Sequence, residues 1–162
     1  MTMIETVPIS RTGYNKLQAE LGELQKELTE VKRLVAEAAE HGDLKENAEY
    51  QSGRERQGFI VGRISEIKGK INRSDIVDCT KVQCDQIVFG TVVTLLDLDS
   101  QKNVVYQLLG PDDADFKTGS ISVHSPIGRA ILGHRIGEKF SVDIPAGERH
   151  FEVQDIARPE VD

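Results

Sequence analysis

Two carboxylates, Asp43 and Glu46, stand three residues apart in the segment EHGDLKENAEY, residues 40–50. Magnesium keeps several waters and is usually held by one or two carboxylates together with phosphate oxygens from a substrate. Such a pair makes no Mg²⁺ site by itself, but it can complete one when a partner supplies the rest. A structural account of the same residues is equally explicit. Gly42 can take the left-handed conformation that ends a helix, and His41 sits where a helix C-terminus favours a cation. Asp43 can then cap a following helix, with Glu46 as its partner in a capping box. The two accounts are compatible, since a cap can fix the geometry of a loop whose carboxylates act elsewhere.

The rest of the chain offers little chemistry. Cys79 and Cys84 are the only cysteines, and reduced thiols are expected, because a secreted chain of this size more often carries several. Zinc would need two further ligands, and His41, His124, His134 and His150 lack finger spacing. In GPDDADFK, residues 110–117, Asp112, Asp113 and Asp115 lack the spacing and closing Glu of an EF-hand. A solvated or partner-facing loop is the expectation there.

The elements that carry the two carboxylates are read from periodicity. Leu17, Leu21, Leu24, Leu28, Val31, Val35 and Ala38 step by alternating fours and threes, a heptad seam behind Ser10. A helix from about Thr12 to His41 would be roughly 45 Å long. Gly53, Gln57, Ile60, Ile64, Ile67 and Ile71 form a second seam. Two heptad helices joined by a few residues pack antiparallel, which puts the turn, and both carboxylates, at residues 41–47.

From about Ile87 the period becomes that of strands. IVFGTVVTLLDL and VVYQLL are β-branched runs separated by residues 99–103. Phe140, Val142 and Ile144 alternate with polar residues, and PAGE turns into Phe151 and Val153. Between them, Ser125 and Pro126 read as the start of a short helix with Gly133 just past its end. The expectation is an α+β chain: residues 1–78 a long antiparallel helical hairpin (a coiled coil), residues 79–162 a mainly antiparallel sheet domain with a short helix.

Charge follows the same division. Residues 1–75 hold 12 basic and 13 acidic side chains, while residues 76–162 hold 8 and 14, most of the chain's net −7. An acidic second half is a poor candidate for general duplex binding, which needs a basic face. No apolar run is long enough to span a bilayer and the N-terminus lacks signal-peptide character, so a cytoplasmic location is expected.

The motifs add a resemblance. HGDLKENAEY at 41–50, GRI at 62–64 and ISVHSPIGRAILG at 121–133 resemble the Gre family of bacterial transcription elongation factors, of the GreA type, over essentially all 162 residues. The resemblance implies a coiled coil that passes through the secondary channel of RNA polymerase to the active centre of a backtracked complex. There the residues matching Asp43 and Glu46 would help hold a second Mg²⁺, shared with the polymerase, so that the polymerase cuts its own extruded RNA. By itself the chain would be neither an enzyme nor a Mg²⁺ holder. Its partners would be bacterial RNA polymerase and the 3′ segment of nascent RNA, with no membrane, and it would act as a monomer.

The same family carries a basic patch near the tip that meets RNA. Arg54 matches a position in it and Arg56 lies close by, whereas Ala39 stands where relatives can carry Arg, which implies a small patch. Arg56 and Arg63 can instead pair with Glu residues on the helix surface, and Lys45 can meet a phosphate or keep the turn solvated. The C-terminal domain resembles the family's version of the FK506-binding-protein fold, docking on the polymerase rim. Its aromatics, Phe89, Tyr106, Phe116, Phe140 and Phe151, are expected in the core rather than around an isomerase pocket. Two readings from other classes are a prolyl isomerase with a helical arm and a channel-binding regulator or coiled-coil adaptor without cleavage.

Overall fold

Ser10 starts the first helix by accepting the Gly13 N–H on its Oγ at 3.0 Å, as a Ser N-cap does. The computed structural model describes residues 5–160. It divides into two compact units, one formed by residues Asn15–Arg73 and the other by the chain up to Tyr14 and from Ser74 on.

The first unit is the expected hairpin. Helix α1, Arg11–Glu40, and helix α2, Ala48–Arg73, flank a seven-residue connection. Val31, Ile60 and Ile64 form its buried centre, with Leu21, Leu24, Leu28 and Val35 packed against them. These are seam residues of both helices, so the heptad pattern alone placed the packing face. Gly53 has a steric role there, since a Cβ on it would lie 2.8 Å from Val35 Cγ2.

The second unit is built on a five-stranded sheet. Its strands are β3 (Val92–Asp97), β4 (Lys102–Leu109), β5 (Ser120–Ser122), β6 (Lys139–Ile144) and β7 (Gly147–Ala157), in the order β5-β4-β3-β7-β6. Only the β4–β5 pair is parallel. Helix α3, Pro126–Ile131, is capped by Ser125, whose Oγ accepts from the Gly128 N–H at 3.0 Å. Ile87, Val93, Leu95, Leu108, Ile121, Ile131, Val142, Phe151, Val153 and Ile156 make one core between the sheet and α3. The α+β class, the hairpin and the antiparallel-rich sheet with its short helix are thus as expected.

Three features differ from the sequence reading. Strands β1 (Val7–Ser10) and β2 (Ser74–Val77) pair in parallel across the whole hairpin, a pairing that four-residue strands with no shared turn do not announce. The run from Ile87 to Gly90 is not a strand. Ile87 donates to the His134 carbonyl at 2.9 Å and accepts from the Gly133 N–H at 2.8 Å, so its backbone is spent on the end of α3. Phe116, expected in the core, is 73% exposed beside Tyr106, because the short 3₁₀ turn Phe116–Thr118 carries it outside the strands.

The acidic loop is also less solvated than expected. Asp113 accepts the Ser10 N–H at 2.8 Å and the Gly110 N–H at 2.8 Å, while the Asp115 side chain accepts from the Lys117 N–H at 3.0 Å. Cys79 is buried, and Cys79 and Cys84 are not joined in a disulfide. No helix among the described residues is long and apolar enough to cross a membrane.

Candidate functional site

Residues 41–47 reverse the chain between α1 and α2. Gly42 takes the left-handed conformation expected of it, at φ +78°. Asp43 follows at φ +49°, a region that Asp tolerates better than most side chains. The Glu46 N–H then donates to the Asp43 carbonyl at 3.1 Å and closes a turn over Leu44 and Lys45.

Asp43 does not cap the second helix. That role belongs to Asn47, whose Oδ1 accepts the Tyr50 N–H at 3.1 Å and whose carbonyl accepts the Gln51 N–H at 3.0 Å. The expected capping box of Asp43 and Glu46 is therefore absent, for a geometric reason. The chain uses residues 43–46 to turn around, so the first free N–H groups of α2 arise four residues later than the motif suggested. The motif misled because Asp-x-x-Glu is the better box pattern, while Asn directly before Ala48 was the signal for the true cap.

Two side-chain amides hold the turn. Asn47 Nδ2 donates to the Ala38 carbonyl in the last turn of α1 at 2.7 Å. Gln51 Nε2 donates to the Leu44 carbonyl at 3.0 Å. Neither residue was singled out in the sequence.

With the cap assigned elsewhere, Asp43 and Glu46 are exposed, and neither carboxylate is partnered among the described residues. Together with His41, Gly42, Asn47 and Glu49 they line an open concavity of about 370 Å³. No group of three or more His, Cys, Asp or Glu side chains that could hold a metal occurs among the described residues. Two exposed carboxylates are the donor type that Mg²⁺ takes, and they can supply only part of its oxygen shell.

The basic residues behind the turn separate into two kinds. Arg56 pairs with Glu27 across the hairpin and lies 5.4 Å over the Phe59 ring. Arg63 pairs with Glu20 at 2.7 Å and Glu66 at 3.1 Å, and the hydrogen bond it donates to Glu20 above all pushes its pKa further up. The same contact with Arg63 holds the Glu66 carboxyl below its usual range. Arg56 and Arg63 thus adopt the surface-pairing role, worth little to stability individually. Arg54 and Lys45 are exposed and unpaired among the described residues, and Ala39 is half-buried.

Comparison with known proteins agrees with the motifs. Residues 7–76 match the family model described as "Transcription elongation factor, N-terminal", and residues 82–158 match "Transcription elongation factor, GreA/GreB, C-term". The transcription elongation factor GreA of Desulfotalea psychrophila is 49% identical over 155 residues, covering 95% of this chain and 96% of that one. Its counterpart from Syntrophotalea carbinolica is 46% identical over 156 residues, covering 96% and 99%. Among solved structures, GreA factor homolog 1 of Thermus thermophilus is 28% identical, with a TM-score of 0.45 over 94% of this chain and 99% of that one.

Proposed function

Because the chain belongs to the GreA/GreB family of transcription elongation factors, we propose that its helical hairpin enters the secondary channel of bacterial RNA polymerase and stimulates cleavage of backtracked RNA. The turn would bring Asp43 and Glu46 to the polymerase active centre. The observation that carries this reading is that both carboxylates are exposed and unpartnered on a turn held by other residues. Two charged groups with no structural duty are suited to acting on something outside the chain.

In the complex, Asp43 and Glu46 add two oxygen donors to a Mg²⁺ site otherwise made by polymerase carboxylates and RNA phosphate. Held there, the ion would complete a two-metal site, whose pair of ions would stabilise the attacking and leaving oxygens of phosphodiester hydrolysis. On this reading the active site belongs to the polymerase, and the chain activates an enzyme rather than being one. The sheet domain docks on the polymerase, and a single copy in the cytoplasm is sufficient. Arg54, exposed on the first turns of α2, is the cation best placed to meet the extruded 3′ RNA segment. Arg56 would have to leave Glu27 to do so.

The test is to add the protein to a stalled, backtracked polymerase complex and follow the length of the labelled RNA. Shortened RNA that resumes elongation supports the proposal. Binding without shortening would favour a channel-binding regulator instead.

A further inference from the structure

From the hydrogen bonds of the turn we infer that Asn47 and Gln51 are positioning residues, which set the geometry of Asp43 and Glu46 before any partner is met. The inference rests on the proposed cleavage role and deepens it. An exposed seven-residue connection would ordinarily sample many conformations, and ordering it at the moment the two carboxylates meet the ion weakens their hold on it. Here the ordering is already present in the chain. Asn47 has both ends of its amide in use, Nδ2 to the Ala38 carbonyl and Oδ1 to the Tyr50 N–H. It ties the last turn of α1 to the first turn of α2.

Gln51 stands one helical turn after Asn47 and so shares its face. Its Nε2 reaches the carbonyl of Leu44, which lies between the two carboxylates in the chain. With the Glu46 N–H on the Asp43 carbonyl, residues 43–46 are held by one internal bond and by Gln51 at Leu44, between helix ends that Asn47 ties together. The chemistry suits amides in particular. A Lys or Arg donor would lower the negative potential that draws a cation, and Asp or Glu could not donate to a carbonyl and would compete as a ligand. An amide donates without adding charge.

Two substitutions separate positioning from folding. Asn47→Ser keeps an oxygen for the Tyr50 N–H, and Ser is a good cap, but it cannot span to Ala38. Gln51→Met keeps length and helix propensity without a donor. In the free double variant, backbone order parameters of residues 43–46 should fall into the flexible range, below about 0.6, while those of the helix seams stay unchanged. Competition for polymerase should also be unchanged. Stimulated cleavage at limiting Mg²⁺ should drop about tenfold and recover as Mg²⁺ is raised, because added ion offsets a loosened pair of ligands. A rigid turn in the double variant, or wild-type cleavage at limiting Mg²⁺ beside an inactive Glu46→Gln protein, overturns the positioning role alone. Wild-type cleavage by both proteins overturns the cleavage proposal, and the positioning role with it.

Discussion

The Ser10 N–H donates to Asp113 Oδ2 at 2.8 Å, joining residues 103 positions apart. Ser10 thereby works in two directions, since its Oγ caps α1 while its backbone is held by the acidic loop. Asp113→Ala should leave the N–H groups of Ser10 and Gly110 without their acceptor. The expected loss is about 1 to 3 kcal/mol of stability, read as a lower denaturant midpoint with an unchanged slope.

Two aspartates should respond to pH in opposite senses. Burial pushes the Asp113 carboxyl up despite the N–H groups of Ser10 and Gly110. A raised folded pKa gives a contribution that is full below the unfolded pKa and declines as pH rises through the folded value. Asp97 is buried at the end of β3. Burial pushes it up too, but the Ser100 and Asp99 N–H groups and Arg149 outweigh this and hold it below the usual range. Its contribution is present above about pH 3.9, the ordinary Asp value, and is lost as pH falls below it. The stability difference between wild type and Asp97→Asn should therefore shrink on acidification, in denaturation curves from neutral pH to about pH 3.

The tip carboxylates should separate activity from stability. Since Asn47 and not Asp43 is the cap, Asp43→Asn and Glu46→Gln should each change stability by less than about 0.5 kcal/mol. Both should strongly reduce stimulated cleavage while polymerase binding persists. Wild-type protein should lower the Mg²⁺ requirement of cleavage, and that gain should vanish with Glu46→Gln, which a Mg²⁺ titration of backtracked complexes reads directly.

Close approach at Gly53 gives a sign reversal. A Cβ there would lie 2.8 Å from Val35 Cγ2, and a β-branched side chain has few rotamers to escape into. Gly53→Ala should destabilise the wild-type hairpin by about 1 to 3 kcal/mol. In a Val35→Ala background the same change should stabilise by up to about 1 kcal/mol, the helix propensity gain. Thermal melts of the four proteins close the cycle.

Dissection of the chain should depend on its first strand. A fragment beginning near residue 80 lacks β1, β2 and the Ser10 partner of Asp113. It should be less stable than one in which residues 5–14 are joined to Ser74 and onward by a flexible linker of about 10 residues. Only the joined form should compete well for polymerase, and neither should stimulate cleavage.

The hairpin was legible in the sequence because a seam every three to four residues can bury its apolar side chains in only one way. Leu28, Val31, Ile60 and Ile64 announced their packing face before any coordinates. The turn at 41–47, the Ser125 cap and the alternation of β6 are local in the same sense. What only the tertiary structure decided involves partners distant in sequence or choices between nearby donors. The β1–β2 pair joins partners 67 positions apart in sequence, Val7 to Ser74. Asp113 became a structural acceptor because Ser10 happened to be brought beside it. At the tip, the motif pointed to Asp43 as the cap, and only the path of the backbone through residues 43–46 moved that role to Asn47. That choice left Asp43 and Glu46 without structural duties, because a carboxylate can spend its lone pairs on its own helix or on a partner's metal, and the fold already satisfies the helix.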